Sequence, residues 1–119
     1  MSSFKDFEKV ANFLEEQSRV FPQSQREIAL RRAISTIYYG VFWEIRDRLI
    51  KKGFKISEKK PHSLIPNLLD YALGLKNVAN SYRELKTLRQ KADYEKGWNV
   101  KPKHFKRAKY LAKFILSEV

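Results

Sequence analysis

24-SQREIALRRAISTIYYGVFWEIRDRLIKKG-53 is the stretch whose reading decides the fold. Within it Leu30, Ile34, Ile37, Val41, Ile45 and Leu49 recur every three or four residues, the period of one face of an α-helix. Ser24 and Glu27 have the S-x-x-E spacing of a capping box, in which side chains satisfy amide donors left free at a helix start. At the far end Lys51 and Lys52 complement the helix dipole, and Gly53 supplies a left-handed residue. Arg32, Ser35, Tyr39, Trp43 and Arg46 repeat at the same spacing on a second face. A surface helix needs only one apolar stripe, so a helix patterned on two faces is expected to have neighbours on two sides. The stretch reads as one long helix and the spine of a domain.

The flanking segments read as helices packed around that spine. Residues 3–20 place Phe4, Phe7, Val10, Ala11 and Leu14 on one side and Lys5, Glu8, Glu15 and Glu16 on the other. Ser3 with Asp6 starts this helix, and Pro22 forbids its continuation. Residues 54–61 (FKISEKKP) form a basic connector, expected to be mobile and solvated. A third helix opens near 62-HSLIPNLLDYALG-74, with Pro66 in its first turn, Leu64, Leu68, Leu69 and Ala72 inward, and Gly74 at its end. Ser81 and Glu84 repeat the capping-box spacing and predict a fourth helix from there to about Glu95, with Leu85, Leu88 and Ala92 inward. A fifth starts at Pro102 and turns Phe105, Ala108, Ala112 and Ile115 inward. Strand alternation, internal repeats and low-complexity tracts are not evident. The expected fold is all-α, an antiparallel four- or five-helix bundle forming one domain over residues 1–119.

Composition narrows the function classes. A chain of 119 residues can bury a core without staples, and the absence of cysteine excludes disulfides and thiolate metal sites. The two histidines lie far apart with no carboxylate cluster beside either, so no metal site is expected. No apolar run approaches the roughly 20 residues of a membrane span, and nothing resembles a signal peptide, so the expectation is a soluble cytoplasmic protein. Phosphate-binding loops of the G-x-x-x-x-G-K-[ST] and G-x-G-x-x-G kinds are absent. The net charge is +12 and unevenly placed: residues 1–50 hold eight Lys/Arg against seven Asp/Glu, residues 51–119 seventeen against six. That asymmetry suggests a polyanionic partner, nucleic acid above all. The plainer reading is a solvated lysine-rich surface.

One cluster has the residue types needed for phosphodiester chemistry. Cleaving RNA without a metal uses the 2′-OH as nucleophile and needs a base, an acid and a cation for the charge building on phosphorus. Arg89 offers a planar fork matching phosphate oxygens, and Asp93, four residues on, shares its helical face. The same pair is equally readable as an ordinary intrahelical ion pair. His62 is able to relay a proton near neutral pH or simply to finish a helix N-terminus, and Tyr94 is able to donate to a phosphate oxygen. Tyr38, Tyr39 and Trp43 read as core or dimer-interface aromatics more than as base-stacking platforms, and His104 as a surface residue.

These residues also form an ordered set. Arg32-Ala33, Ser35, Tyr38-Tyr39 and Phe42 on the long helix, His62-Ser63 opening the third, and Leu88-Arg89 with Ala92-Asp93-Tyr94 closing the fourth resemble, in that order, the small stand-alone HEPN proteins (higher eukaryotes and prokaryotes nucleotide-binding). Ala108, Phe114 and Ile115 fit that family's last helix, so the resemblance spans nearly the whole chain. It implies a HEPN-like bundle, usually a homodimer. Many members are metal-independent endoribonucleases of toxin–antitoxin, CRISPR or other defence systems, often encoded beside a nucleotidyltransferase. Their motif is an Arg followed four to six residues later by a His, brought together from two protomers. Arg89 fills the Arg position here, but Asp93 and Tyr94 stand where the His is expected. Two expectations result, neither with a cofactor. One is an endoribonuclease with Arg89, Asp93, Tyr94 and His62 as catalytic candidates and Arg32, Arg46, Lys91, Lys96, Lys103 and Arg107 as RNA contacts. The other is a non-catalytic module acting with a nucleotidyltransferase partner; in related pairs that partner modifies a tyrosine beside the motif, which makes Tyr94 the candidate acceptor.

Overall fold

The computed structural model describes residues 3–119, and among them every regular element is helical. The helices are α1 (Phe4–Ser18), α2 (Gln23–Lys51), α3 (Pro61–Asn67, prolonged by a π-helical turn over Leu68–Ala72), α4 (Lys76–Tyr94) and α5 (Pro102–Glu118). The spine is α2: its 29 residues span ~43 Å at 1.5 Å each. That length sets the 47 Å long axis of the molecule. As two-sided patterning requires, α2 packs against α1, α3, α4 and α5. Ile34, Ile37, Val41, Ile45 and Leu49 are wholly buried along it, joined by Phe105, Ala108, Ala112 and Ile115 of α5.

Side-chain contacts fix the helix directions. Arg26, near the start of α2, donates from Nε to the Ser18 carbonyl (3.1 Å) at the end of α1, while Phe4 and Phe7 at the start of α1 lie against Gly40 further along α2, so these two helices are antiparallel. Arg31, also near the start of α2, reaches the carbonyls of Lys91 and Ala92 at the end of α4, so α4 is antiparallel to α2 as well. Arg48, near the end of α2, donates to the Leu116 carbonyl (2.7 Å) at the end of α5, so α5 runs parallel to α2. The four long helices α1, α2, α4 and α5 therefore alternate in direction, as in an up-and-down bundle, with the short α3 inserted between α2 and α4.

Several helix boundaries differ from the sequence expectation. The Ser24–Glu27 capping box does not form. Pro22 is the N-cap, and its carbonyl accepts from the amides of Gln25 (3.0 Å) and Arg26 (2.9 Å), so the cap of α2 stands two residues earlier than Ser24, which falls inside the first turn. Ser81–Glu84 fails for a similar reason: α4 begins at Lys76, which makes Ser81 an interior residue and buries Val78 and Ala79 ahead of it. In α3 the first-turn proline is Pro61, whereas Pro66 lies inside the helix. Leu73 N–H then bonds to Leu68 O (3.0 Å) in the wider π register, which buries Ile65 and Leu69 and leaves Ala72 exposed. Val10 is also exposed rather than inward. The 54–61 connector is anchored to the core by Phe54 and Ile56. At the N-terminus of α1 the expected pairing is present, Ser3 N–H donating to Asp6 Oδ2 at 3.0 Å.

Helices α1 and α2 approach closely at Gly40. A Cβ there would sit 2.7 Å from Phe7 Cβ and 3.0 Å from Phe4 Cδ1. The Phe7 Cβ is tied to the backbone and cannot swing aside. In an open helix, Gly→Ala gains ~1 kcal/mol. Here overpacking of about 1–3 kcal/mol opposes it. Gly40→Ala should lower the unfolding free energy in urea, and a more stable variant would show that α1 is not seated this tightly.

Candidate functional site

The fourth helix carries the centre of the site. Val78, Tyr82, Leu85, Arg89 and Ala92 share one stripe of α4, and the same spacing that buries the apolar members also buries Arg89, which is 6% exposed. Its guanidinium carbon lies 4.9 Å from the Tyr38 ring centre, 5.6 Å from Tyr39 and 6.0 Å from Tyr94. Each such contact contributes roughly 0.5–2 kcal/mol, more where water is excluded. Neutralisation is incomplete. Nη1 stands 3.7 Å from Asp93 Oδ2, beyond hydrogen-bond length, and the buried Nε has no hydrogen-bond partner. Burial works against the charge, but Tyr39, Tyr38 and Asp93 outweigh it and the pKa is raised. Arg89 is thus a permanent cation with donor capacity to spare, a combination that favours an oxyanion.

Beside this cation a groove of about 460 Å³ runs between α2 and the end of α4, lined by Arg31, Arg32, Ser35, Tyr39, Asp93 and Tyr94 among others. Asp93 forms its lip and accepts from Ser35 Oγ at 3.3 Å. Tyr94, the last residue of α4, is 73% exposed. Arg32 projects from α2 and is exposed. The Arg31 guanidinium is committed elsewhere, to the carbonyls of Lys91 (3.0 Å), Ala92 (3.1 Å), Lys96 (3.3 Å) and Trp98 (2.7 Å). It fixes the end of α4 and so places Asp93 and Tyr94. A smaller groove lined by Asp6, Phe7, Val10 and Thr36 is mostly apolar and lacks convergent charges.

His62 reaches the site through two tyrosines. Its Nδ1 lies 2.6 Å from the Tyr38 hydroxyl, and its ring stacks on Phe42 with centroids 4.4 Å apart. The Tyr38 hydroxyl in turn lies 3.3 Å from that of Tyr82, and both phenols are wholly buried. Burial raises the pKa of Tyr38, and that of Tyr82 well above the ordinary phenol value. Burial, Arg89 and Lys86 lower that of His62. The hydrogen-bond partner of His62 is Tyr38.

The other sequence candidates are dispersed. Arg46 lies over the Trp43 ring (5.7 Å), and Trp43 is 42% exposed rather than core. Lys96 and Lys103 are exposed, and Lys91 is half-buried behind the end of α4. Arg107 is held by Glu84 through two bonds, of 2.6 and 2.8 Å, which also depress the Glu84 pKa. Lys109 donates to Asn12 (2.8 Å), and Lys113 stands 3.8 Å from Glu8. The basic ring on α5 is therefore partly consumed in holding α5 to α1 and α4. His104 is not a free surface residue: its Nδ1 accepts the Lys101 amide (2.9 Å) and caps α5, while its ring lies against Trp98. Burial, Lys103, Lys101 and Lys91 lower its pKa. Among the described residues no cluster of His, Asp and Glu is able to hold a metal, and no helix is long and apolar enough to cross a membrane.

No match to a family model, to a curated protein or to a solved structure was found. The structure sets Arg89 and His62 against Tyr38 and Tyr39, and lines the groove with Tyr39, Asp93, Tyr94 and Arg32; Arg89 and His62 do not line it themselves. Tyr38 and Tyr82 were missed as site members because buried phenols read as core. The available signal was that Tyr82 and Arg89 sit seven apart on one helical stripe.

Both histidine pKa values fall below the ordinary 6.5 in the folded chain. As pH drops past that value the unfolded chain takes up protons first, so stability is full above about pH 6.5 and declines below it. Urea unfolding should show this decline between pH 7 and 5.5. The double substitution His62→Gln, His104→Gln should flatten it; an unchanged slope would contradict the assignment.

Proposed function

We propose that this chain is a HEPN-like RNA-binding protein whose reaction is metal-independent endoribonucleolytic cleavage, carried out by a homodimer in a toxin or defence setting. The observation that carries the reading is the buried, incompletely neutralised Arg89, which stands behind Asp93 and Tyr39, two of the residues lining a groove that Arg32 and Tyr94 also line. A phosphodiester entering that groove would supply the oxygens that the guanidinium lacks. The cation then meets the charge developing on phosphorus in a site where water competes poorly. Asp93, exposed at the lip, is the carboxylate placed to take the 2′-OH proton, and Tyr94 is an O–H donor beside it. The excess of basic residues in the second half of the chain supports binding of the strand as a whole.

Cleavage of a mixed-sequence RNA in EDTA, leaving a cyclic phosphate, tests the reading. Arg89→Ala removes the cation and should abolish activity. Because Arg89 is buried, Arg89→Lys is the decisive variant. It keeps the charge, loses the fork, and should cost about a hundredfold in rate with helix content preserved. Full activity in folded Arg89→Lys would remove the guanidinium from the mechanism.

One observation favours a second reading, a non-catalytic module acting with a nucleotidyltransferase. Tyr94 is the exposed tyrosine of the cluster, whereas Tyr38 is sealed in the core. An enzyme that adds a nucleotide to a tyrosine here would find Tyr94 the most exposed one beside the cation, with Tyr39 half-buried and Tyr38 sealed. Mass spectrometry after co-expression with a nucleotidyltransferase encoded beside this chain should place one added nucleotide on Tyr94. An unmodified chain that forms no complex would count against this reading.

A further inference from the structure

The Tyr82–Tyr38–His62 chain contains more information than its distances. Three elements meet at one oxygen: Tyr38 from α2 stands 2.6 Å from His62 Nδ1 on α3 and 3.3 Å from the Tyr82 hydroxyl on α4. Two proton arrangements run as a relay along those contacts, and a third, in which His62 and Tyr82 both donate to Tyr38, strands the Tyr38 proton. In the first, Tyr82 O–H donates to Tyr38, and Tyr38 O–H donates to His62 Nδ1. In the second, His62 Nδ1–H donates to Tyr38, and Tyr38 O–H donates to Tyr82.

Counting donors separates them. Tyr82 is wholly buried, and among the described residues its hydroxyl has no hydrogen-bond partner but Tyr38. The second arrangement leaves the Tyr82 proton with no acceptor in the core, while the first uses both buried phenol protons. A stranded buried donor is expensive enough to bias the choice by roughly fivefold to a hundredfold. The Arg89 cation over the Tyr38 ring acts in the same direction, strengthening Tyr38 as a donor and opposing a positive N–H directed toward it.

We infer that Tyr82 and Tyr38 lock His62 as the neutral Nε2–H tautomer, so that His62 serves the site as a hydrogen-bond donor and not as a proton-abstracting base. Nδ1 is occupied by the phenol, and the ring is pinned against Phe42. Nε2 has no hydrogen-bond partner among the described residues, and the half-buried ring leaves it for a ligand oxygen. Under the RNA reading, on which the ligand assignment rests, that oxygen belongs to a phosphate. Tyr38 and Tyr82 are then positioning residues, acting on the ligand only through His62. The lowered His62 pKa agrees with a ring held neutral.

Nitrogen-15 correlation spectra of the full chain read the tautomer directly, without any need for catalysis. His62→Gln assigns the His62 signals. His104, whose Nδ1 is occupied by the Lys101 amide, is an internal control. The wild type should show His62 almost entirely as Nε2–H at neutral pH. Tyr38→Phe takes the phenol away from Nδ1 and strands the Tyr82 proton equally in both tautomers, so that neither is favoured by donor count. The Nδ1–H share of His62 should therefore rise roughly fivefold or more, with His104 unchanged. A dominant Nδ1–H form in the wild type, or identical ratios in wild type and Tyr38→Phe, would overturn the lock.

A second arm adds a 2′-O-methyl RNA oligonucleotide, which is resistant to cleavage. A shift of the His62 Nε2 resonance on binding supports the donor role, and binding without a shift removes it. Failure to bind any oligonucleotide would defeat the RNA reading and the phosphate assignment with it, while the tautomer result stands on the first arm.

Discussion

The structure depends on one repeated interaction: arginines of α2 donating to backbone carbonyls at the ends of other helices. Arg26 serves α1 at Ser18, Arg31 serves α4 at Lys91 and Ala92, and Arg48 serves α5 at Leu116. The last four carbonyls of a helix have no partner within it and carry the negative end of its dipole. Burying three such ends around a central helix would be unfavourable without cations to meet them. The long helix is therefore more than an apolar stripe; its arginines satisfy the termini of the helices that the stripe gathers. This also sets direction, since a reversed α4 or α5 would present amides, not carbonyls, to a guanidinium.

Apolar periodicity made much of this fold legible. The stripe from Leu30 to Leu49 is buried as read, and Phe105, Ala108, Ala112 and Ile115 turn inward from a helix that does begin at Pro102. Boundaries were less legible because local capping signals compete with packing. Ser81 and Glu84 have the right spacing, but Val78 and Ala79 ahead of them bury surface, and the helix extends to include them. The capping roles of the arginines were invisible for a different reason. Arg31 and Arg48 bond across 60 or more positions, and a long-range donor looks the same in sequence as a solvated charge. Net charge overstated the free basic surface for the same reason, since Arg107, Lys109 and Lys113 are paired within the fold.

For Arg89 the difficulty is reversed. Its spacing from Leu85 and Ala92 places it on the buried face, yet arginine is among the residue types least often buried there. Desolvating a guanidinium is unfavourable by several kcal/mol unless charges and hydrogen bonds compensate. Here the compensation is partial: aromatic faces on three sides, one carboxylate at 3.7 Å and an unpaired Nε. A structural ion pair would be better served by a closer Asp93. The observed geometry resembles a site held slightly open, where an incoming oxyanion gains more than it would from a surface arginine.

Fold and site are therefore not separable in this chain. Arg31 grips the carbonyls of Lys91 and Ala92, and the next two residues are Asp93 and Tyr94. The clamp that closes the bundle also determines where the carboxylate and the exposed phenol stand relative to Arg89. On the other side, the hydroxyl of Tyr38 joins α2 to α3 and α4 and sets the orientation of His62. Each polar group beside the guanidinium is thus positioned by a contact that also fixes a helix. A substitution that loosened α4 by an ångström would be felt at the groove before it was felt in stability, because oriented groups lose function over distances that a packed core tolerates.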